Sequence, residues 1–365
     1  MSVVYKKLED VCEILDSRRV PITAKDRKAG TYPYYGANGL QDYVADYIFD
    51  DELVLLAEDG GNFGSKERPI AYRVSGKCWV NNHAHVLKAK PNMHVDYLCY
   101  ALMFYDTEGL VNGATRQKLT QAAMRQMVIP YRDMTEQLQI IKKISQIVRS
   151  IEKRKEELQL LDQLVKSRFI ELFGDPVLNQ HGWRKVALEV NATLLNGRAY
   201  KQDELLDSGK YPVLRVGNFF SNRGWYYSDL ELDDDKYCDN GDLLYAWSAS
   251  FGPQIWNGGK VIYHYHIWKV LVGEAYNKQF LCKLLEYATE SLMGDTHGIA
   301  MMHLTKSGME KTEFIVPPIE RQEQFAAFVE QTDKSKYYSS LSFRYCQAAA
   351  NTYRQEWMTC RTSDF

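Results

Sequence analysis

The sequence lacks the features of secreted, zinc-bound and membrane-spanning proteins. Its seven cysteines are scattered along 365 residues and no two are spaced Cys-x-x-Cys, which argues against a disulfide framework and a structural zinc site. No window approaches the roughly 18 uninterrupted apolar residues of a membrane span, and the N-terminus shows no basic head followed by an apolar core. We therefore expect reduced thiols and a cytoplasmic protein.

The sequence also lacks an excess of either charge. Lys plus Arg number 45 against 47 for Asp plus Glu, which leaves a net charge of -2. Any nucleic-acid partner would therefore have to be held by local basic patches. Apolar residues make up 45% and charged residues 25% of the chain, which is typical of a folded globular protein. At ~150 residues per domain, the length predicts more than one domain.

Signatures of catalysis are missing as well. The chain has no Asn-Pro-Pro-Tyr or Asp-Pro-Pro-Tyr segment of the kind found in amino-methyltransferases, and no glycine fingerprint for S-adenosylmethionine. The glycine-rich stretch 58–66 does not end in Gly-Lys-Ser or Gly-Lys-Thr, so it predicts a loop and not a phosphate cradle. The pairs His83/His85 and His264/His266 have no second ligand pair at metal-site spacing. We expect neither catalytic residues nor metal ligands in this chain.

The two halves of the chain repeat the same landmarks in the same order. Residues 128–137 and 315–324 both carry two apolar residues, Pro, an acid and Glu-Gln, at an offset of 187. Farther upstream, the His-x-His segment at 83–85 recurs at 264–266. Because chance matches would not keep their order, the sequence predicts an internal duplication.

Each half begins with a globular stretch and ends with a helix. Residues 1–132 and 177–318 are rich in aromatic, glycine and β-branched residues, with short apolar runs between turn signals, which predicts mixed α/β domains. Residues 133–176 place apolar side chains at steps of three and four, which predicts a helix of about 60 Å. A second helix is predicted over 319–365, although its apolar seam deteriorates after Lys336.

A helix of this length needs a partner, because a single domain cannot bury it. Each helix leaves its own domain, so the simplest arrangement pairs the two helices antiparallel. The predicted fold class is α+β: two similar mixed α/β domains separated by two long antiparallel coiled-coil helices, with approximate internal twofold symmetry. Two readers held at a fixed separation would suit a DNA duplex with two short sites and an unread spacer.

The order of these elements resembles one known family. The segments that carry the resemblance to the DNA-specificity subunits of type I restriction-modification systems are Gly113–Leu119, Val128–Pro130, Phe169–Pro176, Gly182-Trp183 and Val316–Pro318. The resemblance implies that residues 1–132 and 177–318 are target-recognition domains, each reading one half of a bipartite site in double-stranded DNA. It implies that 133–176 and 319–365 are the spacer helices.

The same resemblance implies partner subunits. Modification subunits of that family methylate adenine with S-adenosylmethionine, and restriction subunits use ATP and Mg to translocate and cut DNA. The specificity subunit of the family does no chemistry itself. We therefore expect this chain to bind no cofactor and to direct methylation or restriction by its partners.

Candidate DNA contacts are side chains that suit base edges or phosphates, since Arg can pair with guanine, an amide with adenine and Lys with phosphate. Arg116 and Lys118 follow Gly113 in the first copy, whereas the second copy reads Gly298–Leu304 and lacks that cluster. The same residue types also serve as turn formers, connectors and solvated surface pairs, and those interpretations stay open. The candidates are Tyr34, Tyr35, Asn38, Asn62, Arg116, Lys118, Arg215, Asn218, Ser248 and Ser250.

Two other functions stay open from the sequence. One is a self-contained DNA methyltransferase or nuclease with built-in specificity, and the other is a coiled-coil scaffold that binds only protein. Catalysis by the isolated chain would favour the first alternative. Failure to retain one bipartite duplex over scrambled DNA would favour the second.

Overall fold

The computed structural model describes residues 4–113, 116–221, 224–248, 250–294 and 305–359. The sequence predictions for the segment 298–304 and for the helix beyond residue 359 fall outside these ranges. The chain divides into two compact units, Met1–Lys155 with Leu341–Phe365 and Glu156–Ser340. Each unit therefore joins one globular domain to parts of both long helices.

The first half of the chain is a strand-rich domain followed by a long helix. Its elements are β1 (Val4–Lys7), α1 (Leu8–Val11), β2 (Cys12–Ile14), β3 (Ala29–Gly36), β4 (Gly39–Val44), β5 (Phe49–Ala57), β6 (Ala71–Val80), β7 (Ala84–Ala89), α2 (Val95–Leu102), β8 (Val111–Asn112), β9 (Lys118–Leu119), α3 (Gln121–Gln126), β10 (Val128–Tyr131) and α4 (Met134–Phe173). A 3-10 helix, Asp16–Arg18, follows β2.

The second half repeats this plan. Its elements are β11 (Lys185–Ala187), α5 (Leu188–Asn191), β12 (Ala192–Asn196), β13 (Tyr211–Leu214), α6 (Val216–Ser221), β14 (Tyr226–Ser228), β15 (Tyr237–Cys238), β16 (Leu243–Ser248), β17 (Ser250–Ile255), β18 (Val261–Tyr263), β19 (Ile267–Val272), α7 (Lys278–Gly294), α8 (Lys306–Lys311), β20 (Glu313–Ile315) and α9 (Ile319–Thr359).

The central strand of the first unit is buried on both faces. The sheet has the order β2-β7-β5-β6-β3-β4. Successive side chains of a strand point to opposite faces: Val54 and Leu56 join the apolar cluster that contains α2, whereas Leu53 and Leu55 join a second cluster on the other face. This explains why the sequence of β5 contains a continuous apolar run and not an alternation of apolar and polar residues.

In the second unit, two four-stranded sheets stand in place of the six-stranded one, with the orders β12-β19-β16-β17 and β14-β13-β18-β15. The parallel pair β13–β18 places Leu214 opposite Tyr263, as β3–β6 places Tyr35 opposite Val80. The confirmed fold class is therefore two similar mixed α/β domains with long helices.

The strand registers correct the alignment of the histidine segments. Leu56 lies opposite His85 in the first unit, and Tyr245 lies opposite Trp268 in the second. His85 therefore corresponds to Trp268, and His83 corresponds to His266. The predicted match of residues 83–85 with 264–266 is wrong by two positions. The short histidine motif suggested that alignment, whereas the strand pairing shows that the two copies differ there by an insertion.

A buried glutamine in the first turn of each long helix also shows that the alignment of the two halves predicted from the sequence is shifted by two residues. The amide of Gln137 donates to the carbonyls of Asn92 and Arg132 at 3.0 and 2.8 Å, and its oxygen accepts from the His94 N–H at 2.8 Å. Gln322 makes the same three bonds, to the carbonyls of Ala275 and Pro317 and to the N–H of Asn277, at 3.0, 2.8 and 2.8 Å. The structural offset here is 185, so the predicted offset of 187 is wrong.

The long helices pack antiparallel within each unit. In the first unit, the beginning of α4 contacts the end of α9, where Ile141 and Ile144 pack with Tyr353 on the domain core. In the second unit, the end of α4 contacts the beginning of α9 through Phe169 and Phe325, whose ring centroids lie 5.4 Å apart. These contacts confirm the predicted helix pair.

Helix α9 continues beyond Lys336, where its apolar seam deteriorates, although it packs loosely there. Small side chains such as Ala350 face Ile147 and Ile151 of α4, and a cavity of about 490 Å³ lies between them and the domain. Helical hydrogen bonds are local and therefore survive the loss of a tight seam. No helix in the described ranges is long and apolar enough to span a membrane.

We predict that Phe169→Ala will lower the free energy of unfolding by about 3–5 kcal/mol, the usual cost of a large cavity in an aromatic core. Phe169 is fully buried and its ring lies 5.0–5.5 Å from those of Phe173, Phe280, Tyr287 and Phe325. Urea unfolding followed by circular dichroism measures the change. The exposed neighbour Ile170→Ala is the matched control; equal losses in the two variants would contradict the packing.

Candidate nucleic-acid interface

Hydrogen bonds to backbone carbonyls bring four separate loops of the first unit together. The Asn81 N–H donates to the Tyr35 carbonyl at 3.0 Å, and the Glu58 N–H donates to the His83 carbonyl at 2.8 Å. The Asn38 amide donates to the Gly60 carbonyl, and the Gly60 N–H donates to the Gln117 carbonyl. We call residues 36–39, 58–62, 81–83 and 116–119 the first loop cluster.

A buried ion network lies directly beneath the first loop cluster. His85 is fully buried and Asp16 is 8% exposed; the distance from His85 Nδ1 to Asp16 Oδ2 is 2.6 Å. His85 Nε2 lies 2.9 Å from the Leu119 carbonyl oxygen. Arg19 bridges the two acids of the network, at 3.4 Å from Asp16 and 2.7 Å from Glu58. We call Asp16, Arg19, Glu58 and His85 the His85 network.

Both ring nitrogens of His85 have hydrogen-bond partners. A carbonyl oxygen only accepts hydrogen bonds, so Nε2 carries a proton toward Leu119. Asp16, which lies against Nδ1, also accepts from the Val86 N–H and the Gln121 amide, both at 2.9 Å. The ring therefore lies between the Leu119 carbonyl and the Asp16 carboxylate, and Arg19 lies between the two carboxylates.

Burial disfavours the charged form of Asp16, but hydrogen bonds outweigh it. The bond and positive charge of His85, with the Val86 N–H and the Gln121 amide, hold the pKa of Asp16 below its ordinary value. The carboxylate is consequently ionised throughout the neutral range.

The His85 network also contains the only grouping of possible metal ligands found in the described part of the chain. Ligand atoms of Asp16, Glu58 and His85 lie within 4.8 Å of one another. Both carboxylates, however, already bind the guanidinium of Arg19. A cation would have to displace that group, so the arrangement fits an ion-pair network and not an open metal site.

Two exposed cations project from the first loop cluster. The side chains of Arg116 and Lys118 are 60% and 51% exposed. Arg116 Nε lies 2.5 Å from Asp59, and Lys118 Nζ lies 3.2 Å from Glu58. The exposed Asn38 lies beside them through its bond to Gly60. These three candidates are thus brought to one surface.

The second unit gathers a corresponding set of loops with a different chemistry. The turn 264–266 receives the Trp247 N–H on the His266 carbonyl and donates the His264 N–H to the Leu214 carbonyl. The Arg198 N–H donates to the Tyr263 carbonyl. We call residues 197–200, 214–215, 247–248, 250 and 264–266 the second loop cluster; it contains the candidates Arg215, Ser248 and Ser250.

Aromatic rings dominate the second loop cluster. Trp247 donates its indole N–H to the Tyr265 carbonyl at 2.8 Å, and its ring lies 5.1 Å from that of His266. Burial, with smaller contributions from His266 and Arg215, lowers the pKa of His264 to about 4, so this imidazole is uncharged at neutral pH. Trp247 and Tyr265 are not among the candidate contacts named from the sequence; their signal was the cluster of aromatic and histidine residues at matching loops.

Two of the predicted contact residues are structural. Tyr34 is 1% exposed, donates its hydroxyl to the Ile22 carbonyl at 3.3 Å and lies under the Arg27 guanidinium. Asn218 is 7% exposed, accepts from the Arg215 N–H and donates to the Gly224 carbonyl. Neither side chain can reach a duplex in this structure, because each is buried and bonded to segments outside its own strand or helix.

The remaining two candidates are half-buried. Tyr35 packs against Tyr72 with ring centroids 5.9 Å apart, at the start of the first loop cluster. Asn62 donates to the Pro69 carbonyl at 3.4 Å and so closes its own loop. Contact with DNA by the exposed members of both loop clusters stays a prediction.

Comparison with known proteins identifies one family. Residues 2–161 and 181–337 each match the family described as "Type I restriction modification DNA specificity domain". A Haemophilus influenzae protein named as a type I restriction enzyme specificity subunit is 26% identical over 338 residues, which cover 90% of this chain and 87% of that one. The EcoBI type I specificity subunit of Escherichia coli is 23% identical over 161 residues, which cover 42% of this chain and 34% of that one.

A solved structure shares the fold. The S subunit of a type I restriction-modification system from M. genitalium superimposes with a TM-score of 0.61 at 13% identity, covering 99% of this chain and 97% of that one. At this identity the similarity supports the fold alone. The two family matches within one chain confirm the duplication.

We predict that Asp16→Asn will destabilise the first unit by about 1–3 kcal/mol at neutral pH, because His85 and Arg19 lose a charged acceptor. An acid with a lowered pKa in the folded state stabilises the fold above its unfolded pKa of about 3.9, and this contribution disappears as pH falls through the folded pKa. The melting temperatures of variant and wild type should therefore converge below about pH 4. Exposed Glu13→Gln is the control; a difference that persists unchanged at low pH would contradict the charge assignment.

Proposed function

The chain belongs to the family of type I restriction-modification DNA specificity domains, and from this premise we propose that each of its two units reads one half of a bipartite duplex site. The observation that supports the proposal most is the pair of loop clusters, which the duplicated fold forms at corresponding places. Loops carried on a rigid sheet are the usual position for recognition residues.

The side chains of the two loop clusters suit contacts with different bases. In the first cluster, Arg116 has the planar donors that pair with a guanine edge, Lys118 suits phosphate, and the Asn38 amide suits adenine. In the second cluster, Arg215 has the same potential, whereas Trp247 and Tyr265 offer apolar surface to thymine methyl groups. The two half-sites should therefore differ in sequence.

The charge of the chain supports a need for partners. A net charge of -2 leaves little bulk attraction for phosphates, which supply much of the affinity of DNA-binding proteins. We propose that modification subunits, with S-adenosylmethionine, and restriction subunits, with ATP and Mg, provide this affinity and all of the chemistry. The chain itself would bind no cofactor and would act without catalytic residues.

The family also suggests which segments of the chain recognise DNA and which set the distance between the half-sites. We propose that residues 1–132 and 177–318 are the target-recognition domains and that the helices over 133–176 and 319–365 set the spacer between half-sites.

Replacing residues 1–132 by the matching domain of another family member should change one half-site and leave the other intact. The donor domain should keep an aromatic residue at position 104, since the Arg354 guanidinium of α9 lies 4.4 Å from the Phe104 ring. Methylation mapping in a host that carries the complete system measures the outcome. The reciprocal exchange of 177–318 is the control, and a simultaneous change in both half-sites would refute independent reading.

The isolated chain should neither methylate nor cleave DNA, even with S-adenosylmethionine, ATP and Mg present. Methylation should appear when the modification subunit is added. The measurement is transfer of labelled methyl groups to a duplex that carries the mapped site. Transfer or cleavage by the chain alone would instead support the self-contained methyltransferase or nuclease.

A further inference from the structure

We propose that His85, which is buried out of reach of DNA, positions the segment Arg116–Lys118 and thereby determines how well the first unit discriminates its half-site. This inference rests on the proposed function and assigns a positioning role within it.

The segment is held from below at several points. His85 Nε2 bonds the Leu119 carbonyl at 2.9 Å, and the Leu119 N–H returns a bond to the Glu58 carbonyl at 2.8 Å. Just past the segment, the Gln121 amide bonds Asp16 Oδ2 at 2.9 Å. The local hairpin that presents the segment, β8–β9, contains only two residues in each strand. An isolated hairpin of that size is not stable, so its geometry must come from these attachments.

Glu58 connects the buried charges with the exposed ones. Its Oε2 lies 2.7 Å from the inner cation Arg19, and its Oε1 lies 3.2 Å from the outer cation Lys118. The adjacent Asp59 holds Arg116. Both exposed cations therefore take their positions from carboxylates whose backbone leaves β5 beside His85.

The second copy replaces both the buried ions and the exposed cations of the first copy. Trp268 takes the place of His85 and lies opposite Asn196, the counterpart of Asp16. Trp247 follows Ala246 as Glu58 follows Ala57, and the Trp247 and Trp268 rings stack at 5.8 Å. The sequence Gly298–Leu304, which matches Gly113–Leu119, contains no Arg or Lys. The buried ions and the surface cations thus occur together in one copy, and both are replaced in the other.

The experiment compares His85→Gln and Gln121→Ala in the full chain assembled with its modification subunits. Gln cannot place donors on both Asp16 and Leu119, whereas Gln121 is exposed and its loss should leave the fold intact. Lys306→Ala is the matched control, because Thr305 caps α8 as Thr120 caps α3, so Lys306 holds the position of Gln121. Thermal melting checks folding.

The probes are three duplexes: the methylated site mapped in the host, the same site with the first half scrambled, and the same site with the second half scrambled. We expect His85→Gln to reduce discrimination at the first half-site about tenfold and Gln121→Ala severalfold, with the second half-site unaffected. Lys306→Ala should change neither. A purely structural loss would lower the active fraction on all duplexes and leave the discrimination ratios unchanged.

A double-mutant cycle completes the test. In an Arg116→Ala/Lys118→Ala background, His85→Gln should cause no further loss, because the groups that it positions are gone. Full discrimination at the first half-site by folded Gln121→Ala and His85→Gln, or an equal loss at both half-sites, would overturn the inference. If His85→Gln does not fold, Gln121→Ala decides. A wild-type complex that distinguishes none of the three duplexes would overturn the proposed function together with the inference.

Discussion

One fully buried glutamine fixes each long helix to its own domain. Gln137 and Gln322 satisfy two carbonyls and one N–H that would otherwise be buried without partners, and an unpaired buried polar group costs more than a hydrogen bond gains. Because all three partners come from the backbone, the helix direction is tied to the domain and not to any surface side chain. The apolar contacts of α4 and α9 within each unit follow from that direction.

The same backbone supports two kinds of loop surface. At corresponding ladder positions, the first unit buries His85 and Asp16 with their ion partners, whereas the second stacks Trp268 on Trp247. Either solution leaves the strand register unchanged, since it requires only that buried polar groups be paired or be replaced by apolar ones. The loops above can therefore differ while the two copies keep the same scaffold.

The fold was largely predictable from the sequence, and the candidate site only in part. Helix α4 has a regular apolar repeat, and at its N-terminus Asp133 accepts the Glu136 N–H at 2.9 Å. Arg116, Lys118, Asn38, Arg215, Ser248 and Ser250 lie in the loop clusters. Tyr34 and Asn218 do not lie in them, since both are buried. Residue type alone does not distinguish an exposed side chain from a buried one. The network of Asp16, Glu58 and His85 joins residues far apart in the chain, and no local pattern links them.

The sequence by itself determined the duplication, the two domains and the helices, because periodicity and the order of landmarks are properties of the chain alone. Only the tertiary structure decided which residues of the two copies are equivalent. Gln137 and Gln322 correspond because they make the same hydrogen bonds, whereas the residues that flank them in the sequence suggest a different alignment. The tertiary structure also decided which charges are buried and which are exposed. Those properties depend on pairing between strands and loops, where a shift of one residue turns every side chain to the opposite face.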